Sequence, residues 1–468
     1  FGWTFLGGLS GSSGGRKYGF GVDQVLQIEM VLPNGHHVRF GPTKWEDASA
    51  DGYSVPKTIG VSGLCRSNPE EQDEEKWEWD SCPDGFGIDF NDLWYAVRGG
   101  GGGTWGVVTS LYLQLHEYTT FELYGFGDGV TGDLGVEPTE ECAALMPTLT
   151  PLLTEFMNTY IMVPSLVGVS EDHSNACGNP GGLRLFCFGD EDVDNAWARF
   201  LVKKNVTDIP EGNCLLKIAS VAGFKDHADY AIRAGASNPR LEGRAYDRPQ
   251  PELTTLNGGL TFNVLFPSAW IEQSEDNLKI ALEWMGSNGY HAFGGATHTA
   301  NDQANSLSSA HRDAGVMVFA PIDLIFDLNL FPKMFDFSDK TNFPPVFGAN
   351  HASVLSGGPS KDDWSKRCPI EWTFEKRAKG CISAQESIYG TKFLKRLEAI
   401  KEVVDPNYMF DCNNCVGNNR PNAKPVQEKD DSVVAQSADE QTSGAFSVGE
   451  KLSVIVSVIG WFGFQFML

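Results

Sequence analysis

The fold of this chain is decided by the stretch Arg98-Gly99-Gly100-Gly101-Gly102-Gly103-Thr104-Trp105-Gly106-Val107-Val108-Thr109. Glycine loses more conformational freedom on folding than any other residue, so five in a row indicate a specific need. A backbone without side chains can approach a bulky ligand closely and direct several N–H groups at it. We therefore predict that this stretch is a ligand-approach loop.

The residues that follow the glycines exclude two familiar phosphate-binding loops. A Walker loop requires Lys-Ser or Lys-Thr after its last glycine, and here Thr104-Trp105-Gly106 follows. A Rossmann loop opens a helix, whereas apolar and polar residues alternate from Val107 to His116, which predicts a strand. A flexible linker is the remaining alternative, and the apolar segment 93–97 before the loop disfavours it.

Composition indicates a globular, acidic protein. The chain has 468 residues, of which 41% are hydrophobic, and this length allows two or more domains. Its formal net charge of -25 and the lack of a basic stripe argue against a nucleic-acid partner. Part of the acidity is local, because seven carboxylates between Glu70 and Asp80 predict a solvated surface loop.

Ten cysteines and the sequon Asn205-Val206-Thr207 favour an oxidising compartment, so we expect a secreted or cell-surface glycoprotein. Cys65 and Cys82 flank the acidic segment, and a disulfide between them would staple it. Cys412 and Cys415 have redox-motif spacing, but no thioredoxin-like pattern surrounds them, so a structural role is favoured. No second cysteine or histidine pair matches them, so we expect no metal site.

Apolar periodicity predicts a mixture of strands and helices. A strand over 25–32, a Pro33-Asn34-Gly35 turn and a return strand over 38–40 predict a hairpin, and the segment from Thr43 to Asp89 is expected to be a loop-like insertion. Further strands are predicted over 260–266 and 315–320. Helices are predicted over 190–206, over 274–287 with Ser274 as N-cap, and from Phe393 to Val404, where Asp405-Pro406-Asn407 ends the helix.

The two ends of the chain carry their own signals. The chain begins at Phe1 inside a glycine-rich segment, so we expect an N-terminally truncated fragment. Residues 421–451 are polar and poor in aromatics, which predicts a disordered linker. Residues 452–468 are almost wholly apolar and predict membrane attachment, either as a short span or as a cleaved lipid-anchor signal.

Four motifs occur in a fixed order along the chain. They are the glycine-rich segment from Gly7 to Val25, Asp92-Leu93-Trp94-Tyr95-Ala96-Val97-Arg98 leading into the glycines, Phe293-Gly294-Gly295-Ala296 with Ala310-His311-Arg312-Asp313-Ala314, and Tyr389-Gly390 with Arg396-Leu397, Ile400-Lys401, Asp405-Pro406-Asn407 and Phe410. In this order they resemble the berberine bridge enzyme-like FAD-linked oxidoreductases, which carry a p-cresol methylhydroxylase (PCMH) type FAD domain. The resemblance covers residues 1–420.

The resemblance implies an α+β fold. Residues 1–117 would be the C-terminal part of the PCMH-type FAD-binding domain. Residues 118–385 would form a substrate-binding domain with an antiparallel sheet backed by helices. Residues 386–420 would return to the FAD domain, before the linker 421–451 and the hydrophobic tail 452–468.

The resemblance also implies which residues hold FAD, although the upstream half of such a domain is not in the sequence. The cofactor-binding residues would be Gly7, Gly8, Lys17, Tyr18, Gly19, Asp23, Gly101, Gly102, Gly103, Thr104, Gly106, Val107 and Asn413. Lys17 or Arg16 would balance the pyrophosphate charge, or the two would be a solvated basic pair. In the family, FAD is often tethered through a histidine in an upstream segment, which this sequence does not contain, and a cysteine just before the glycine-rich motif. The family's histidine after the paired glycines is Leu9 here, and no cysteine precedes Cys65, so covalent attachment of FAD is not supported.

The function that follows is oxidation of an alcohol or carbohydrate-like small molecule by hydride transfer to flavin N5, with reoxidation by oxygen. The base would be Tyr389, provided a neighbouring charge lowers its pKa, or His311. Otherwise Tyr389 packs on the flavin, and His311-Arg312 orders a loop or pairs with a carboxylate.

Two other functions remain open. One is a catalytically degenerate, flavin-binding surface protein. The other is a serine hydrolase that uses Ser13 of Gly11-Ser12-Ser13-Gly14-Gly15. A nucleophile elbow needs a helix directly after the serine, and the segment 16–21 predicts none.

Overall fold

The computed structural model describes residues 13–46, 57–101, 103–116, 121–125, 139–162, 177–178, 184–188, 193–206, 214, 216–221, 261–287, 290–299, 305–307, 309–321, 331–334, 344, 384–410 and 415–417. These ranges hold helices together with three sheets in which every described strand pairing is antiparallel. The α+β class predicted from the sequence is confirmed.

The first sheet carries the candidate site. Its strands are β1 (Val25–Val31), β2 (His37–Glu46), β3 (Lys57–Arg66), β4 (Trp79–Asp80) and β5 (Val107–Leu113), in the spatial order β4-β3-β2-β1-β5. The predicted hairpin is confirmed, because Val31 pairs with His37 across the turn. The strand predicted after the glycines is also confirmed: β5 pairs with β1 at the sheet edge.

The prediction of a loop-like insertion from Thr43 to Asp89 is wrong. β2 runs on to Glu46, and β3 pairs with it from Lys57 to Cys65. The predicted staple is confirmed by the disulfide between Cys65 and Cys82. Between these cysteines most of the acidic residues are exposed, as predicted, although a short 3-10 helix orders Glu74–Lys76.

Two further sheets follow along the chain. One contains β6 (Phe121–Gly125), β7 (Cys177–Gly178), β8 (Arg184–Phe188) and β9 (Leu216–Val221), in the order β7-β8-β6-β9. The other contains β10 (Thr261–Pro267), β11 (Tyr290–Ala292) and β12 (Ala314–Pro321), in the order β10-β12-β11, which confirms the two strands predicted there. Disulfides join Cys142 to Cys214 and Cys177 to Cys187.

The helices of the described residues are α1 (Ser13–Tyr18), α2 (Phe90–Val97), α3 (Glu140–Met162), α4 (Val193–Lys203), α5 (Ser268–Glu272), α6 (Glu275–Ser287), α7 (Ala296–Thr299), α8 (Ser309–Asp313), α9 (Phe331–Met334), α10 (Ala384–Tyr389) and α11 (Thr391–Val404). Three of them, α4, α6 and α11, confirm predictions, and the Ser274 hydroxyl caps α6 by accepting the Asn277 N–H at 3.2 Å. By contrast, α1 was not expected, because Gly14 and Gly15 give it poor helix propensity.

The C-terminal helices share a hydrophobic core with the first sheet. Ile388, Leu397 and Val404 are buried in the same cluster as Trp94 and Trp105. The domain boundaries stay a prediction. The linker 421–451 and the tail 452–468 lie outside the described residues, and no helix in the described ranges is both long enough and apolar enough to cross a membrane.

Candidate functional site

The glycine loop joins α2 to β5 and adopts a backbone that few other residues tolerate. The Asp89 carboxylate caps α2 by accepting the Asn91 N–H at 2.7 Å. After the helix, φ is +112° at Gly99, +102° at Gly101 and +77° at Gly103. The backbone conformation alone therefore favours glycine at these three positions, whether or not a ligand binds.

Only part of the loop is open toward a ligand. A Cβ added at Gly99 would overlap the Leu307 amide, one at Gly100 the Ala96 carbonyl, and one at Gly106 the Val31 carbonyl. Among the described residues, a Cβ at Gly103 would meet nothing within 4 Å, and one at Gly101 would meet the Thr104 and Tyr389 hydroxyl oxygens, each at 3.2 Å. The sequence predicted a ligand role for the whole run, whereas Gly99, Gly100 and Gly106 pack against the chain.

Residues 305–307, which lie between β11 and β12 in the sequence, hold the start of the loop. The Ser306 N–H donates to the Arg98 carbonyl at 3.0 Å, and the Ser306 hydroxyl contacts the Ala96 carbonyl at 3.1 Å. The neighbouring Asn305 donates its side-chain N–H to Asp23 at 3.1 Å. No periodicity in the sequence signals this segment, and sequence reasoning missed it.

Asp23 forms a buried ion pair. Arg312 donates Nη1 to Oδ2 and Nη2 to Oδ1, both at 2.7 Å, and the Phe20 N–H donates to Oδ2 at 3.0 Å. With the Asn305 bond, each carboxylate oxygen accepts two hydrogen bonds from the chain. Asp23 was predicted to bind the cofactor, and that stays a prediction; in the structure its carboxylate accepts from the chain and holds Arg312. Of the alternatives for His311-Arg312, the structure shows pairing with a carboxylate.

Two buried bases lie beside this ion pair. Burial, with a smaller effect from Arg312, lowers the pKa of Arg98 to about 9, although the Asp23 charge opposes the shift. Burial and the Arg312 charge lower the pKa of His311 to about 3. The His311 imidazole, edge-on to the Phe20 ring, is therefore neutral at neutral pH.

Tyr389 ends α10 and faces the open part of the loop. Its side chain is 2% exposed, and within the described part of the chain its hydroxyl has no hydrogen-bond partner. Burial alone raises the pKa of Tyr389 above its ordinary value. The condition set for a base, a pKa lowered by a neighbouring charge, is not met, so Tyr389 is a neutral phenol with a donor to satisfy.

The C-terminal segment holds the end of the loop at Thr104. Lys401 Nζ donates to the Thr104 carbonyl, to Asp405 Oδ2 at 2.7 Å and to the Phe410 carbonyl at 2.8 Å. The Thr104 hydroxyl donates to Cys415 Sγ at 3.3 Å, and Cys415 is disulfide-bonded. Burial raises the pKa of Asp405, but hydrogen bonds from Lys401 and from two backbone N–H groups outweigh it and leave the pKa lowered.

Sequence reasoning named Lys401 and Asp405 only as parts of a motif and missed what they do. The one available signal was their spacing of four residues at the end of α11, which places a lysine over an aspartate.

The basic residues of the N-terminal motif differ from each other. Arg16 is 2% exposed and donates Nη1 to the Ile161 carbonyl at 2.6 Å, so it is not a solvated cation. Lys17 is half-buried, and burial lowers its pKa. The Tyr18 ring packs on His116 with ring centroids 4.3 Å apart, and Gly19 has a φ of +80°. Tyr18 therefore lies near the end of β5, whereas Arg16 lies against the end of α3.

The other predicted site residues are placed as follows. Val107 is 54% exposed, and its backbone pairs with Val31. Gly7, Gly8, Gly102 and Asn413 lie outside the described residues. The described residues contain no cluster of His, Cys, Asp and Glu side chains that could hold a metal ion. The structure thus brings Gly101, Thr104 and Tyr389 together and places Asp23 and His311 at the other end of the loop.

Comparison with the sequences of known proteins points to the same class of enzyme as the motifs. No family model matches the chain. It is 23% identical over 239 residues to the FAD-linked oxidoreductase apf9 of Gibberella fujikuroi, a match that covers 50% of this chain and 32% of that protein. The chain resembles FAD-linked oxidoreductases. This agrees with the resemblance predicted from the motifs, and the match spans about a third of the relative's length.

Two solved structures with low overall similarity to this chain are a flavoprotein and an oxidase. The VAO-type flavoprotein MtVAO615 of Myceliophthora thermophila is 18% identical with a TM-score of 0.43, over 89% of this chain and 60% of that one. Glucooligosaccharide oxidase from Acremonium strictum is 13% identical with a TM-score of 0.44, over 89% of this chain and 71% of that one.

Proposed function

We propose that this chain is part of an FAD-dependent oxidoreductase that oxidises an alcohol or carbohydrate-like small molecule and passes the electrons to oxygen. The observation that carries the proposal is the Tyr389 hydroxyl, which is buried, has no partner among the described residues and faces Gly101. A buried donor of this kind is normally satisfied, so it indicates a ligand atom at the glycine loop.

The residues present fit a flavin. Gly103 is exposed and Gly101 lies beside the Tyr389 hydroxyl, so a flat, bulky group could approach the backbone of this part of the loop closely. Tyr389 offers one hydrogen-bond donor there, and half-buried Lys17 offers positive charge in the N-terminal motif. Gly19, Thr104, Gly106 and Val107 would complete the backbone walls, with Gly7, Gly8, Gly102 and Asn413 as predicted contributors.

The chain's residues would bind and orient, while FAD supplies the redox chemistry by accepting a hydride at N5. Tyr389 acts as a donor, because burial keeps its proton on the phenol. His311 is 1% exposed, and its neutral ring can accept a proton only if substrate reaches it. We therefore assign Tyr389 to cofactor contact, and keep His311 as the candidate for the base. We propose non-covalent binding of FAD.

The visible spectrum tests this proposal. The chain, expressed with its flanking sequence, is purified, titrated with FAD and compared with Tyr389→Phe. We expect absorbance in the flavin region, a shift of the spectrum on binding, weaker binding by the variant, and bleaching by an alcohol or sugar that oxygen reverses. Absence of flavin bands and of any spectral change on adding FAD would refute the proposal. Flavin that survives acid precipitation would contradict non-covalent binding.

Two alternatives give different results in the same experiments. A degenerate flavin-binding surface protein would show the bands but no bleaching by any alcohol or sugar. A serine hydrolase gains one observation, because α1 begins at Ser13 and a helix does follow the serine, contrary to the sequence-based expectation. Labelling by a fluorophosphonate probe that is lost in Ser13→Ala would support it.

The location of the protein is a separate proposal. We propose an oxidising, extracellular setting, because three disulfides have both cysteines within the described residues. Asn205 of the sequon is exposed directly after α4, where a glycan would be accessible. Attachment to a membrane through residues 452–468 stays a prediction.

A further inference from the structure

We propose that Lys401 is a positioning residue for the glycine loop, and that with Asp405 it fixes the loop in the shape that accepts the cofactor. The inference deepens the proposed function and rests on it for the identity of the ligand. The loop itself, and its tie to Lys401, are features of the chain whatever binds there.

The ammonium group of Lys401 is buried and hydrogen-bonded. It is 0% exposed, and within the described ranges its hydrogens have three acceptors: the Thr104 carbonyl, Asp405 Oδ2 and the Phe410 carbonyl. Asp405 is fixed in turn, because its carboxylate also accepts the N–H groups of Met409 and Phe410 at 2.8 and 2.9 Å. Lys401 is therefore a rigid, charged donor aimed at one carbonyl of the loop.

Stability alone does not account for this arrangement. Taking two charges out of water is costly, and well-packed apolar residues stabilise a core at least as well as a buried ion pair. What an apolar side chain lacks is a donor for the Thr104 carbonyl. Because the peptide unit is planar, fixing that carbonyl fixes the plane between Thr104 and Trp105. Thr104 is three residues after Gly101 and is buried, with its hydroxyl next to Gly101.

A second tie and the tyrosine come from the same part of the chain. The Thr104 hydroxyl donates to Cys415 Sγ, and the Gln385 side chain donates to the Cys415 carbonyl. Gln385 belongs to α10, the helix that ends at Tyr389, and α11 follows one residue later. Residues 384–410 and Cys415 therefore hold both the loop and the Tyr389 hydroxyl, so we expect a change at Lys401 to alter their relative position.

The test uses Lys401→Met and the double variant Lys401→Met/Asp405→Asn, which leaves no unpaired buried charge if the single variant fails to fold. Lys395→Met is the matched control, because Lys395 is exposed on the same helix. Amide hydrogen exchange over residues 103–106 reports on the loop. FAD titration of the whole protein reports on the site. We expect exchange about tenfold faster and FAD affinity about tenfold weaker in the double variant, with wild-type values in the control.

Each result decides one question. Unchanged exchange over residues 103–106 in the double variant would overturn the positioning role, even if the melting temperature falls. Faster exchange with unchanged FAD affinity would also overturn it, because the loop shape would then not matter to the cofactor. Failure of the wild-type protein to bind FAD would overturn the proposed function and the cofactor part of the inference, while faster exchange would still support Lys401 as the tie that orders the loop.

Discussion

Acidification should destabilise this protein through His311 by about 2 kcal/mol between about pH 7.5 and about pH 5. Burial and the Arg312 charge lower the pKa of His311 from 6.5 to about 3 in the folded state. At about pH 5 the unfolded chain therefore carries a protonated imidazole, whereas the folded protein keeps it neutral. Because the unfolded state binds more protons, stability falls as the pH drops below 6.5, and the loss levels off near pH 3.

The measurement is urea unfolding of the wild-type protein and of His311→Gln, each at the two pH values and followed by intrinsic fluorescence. The quantity of interest is the stability lost on acidification, so a constant cost of the substitution cancels. Other titrating groups, among them His37 and His298, whose pKa values burial lowers, are present in both proteins and cancel too. His36→Gln, in the β1–β2 turn, is the control.

Equal acid losses in wild-type protein and His311→Gln, to within about 0.5 kcal/mol, would refute this reasoning. The pKa of His311 would then be the same in the folded and unfolded states, so His311 would be protonated in the folded protein at about pH 5. That result would bear on function as well, since a protonated imidazole cannot serve as the base that takes a substrate proton. If the expected loss of stability is measured, His311 is neutral in the folded protein, next to an intact Asp23–Arg312 pair.

Three further changes have defined outcomes. Asp23→Asn should cost about 3–5 kcal/mol, because it leaves the Arg312 guanidinium buried without its ionic partner; a cost below about 1 kcal/mol in thermal unfolding would contradict this. Gly103→Ala should cost roughly 1–2 kcal/mol for its positive φ alone, and Gly99→Ala clearly more, because its Cβ would overlap the Leu307 backbone; urea midpoints in the reverse order would be inconsistent with the packing. Cys65→Ser should cost about 3 kcal/mol and open the acidic loop to proteases, and unchanged proteolysis there would show that the disulfide is dispensable.

Sequence predicted the elements whose cause is local. In α4 the apolar residues recur at helical spacing, and Val193, Trp197 and Leu201 are all buried as that spacing requires. The end of α11 was predicted for a similar reason, because Pro406 disfavours helix for the residue before it.

The elements that were missed depend on distant partners. β3 contains Gly60, Ser62 and Gly63, which give no strand signal, yet it pairs with β2 along most of its length. Glycine is required at position 63 by a residue that is distant in the sequence, because the Phe90 ring lies where a Cβ of residue 63 would be. Such a strand is specified by the neighbour it joins and by the ring that covers it.

The candidate site also combines residues that the sequence predicted with contacts that it did not. The motifs named Gly101, Thr104 and Tyr389, which the structure brings together. They did not reveal the bond from Arg312 to Asp23, 289 residues apart, or the bond from Lys401 to Thr104, 297 residues apart. No local pattern encodes contacts over such separations, so the residues that hold the loop appear only in the fold.

These ties change what the five glycines mean. Residues 305–307 hold the loop at its start, Lys401 and Cys415 hold it at Thr104, and β1 packs against Gly106. A loop fixed at three points is ordered before any ligand arrives, so binding need not spend free energy on ordering it. The glycines therefore divide into Gly99, Gly100 and Gly106, which let the loop pack, and Gly101 and Gly103, of which the first lies beside the Tyr389 hydroxyl and the second is exposed. Substitutions at Gly99, Gly100 and Gly106 should act on folding alone, whereas substitutions at Gly101 and Gly103 should weaken ligand binding in addition to the folding cost of their positive φ.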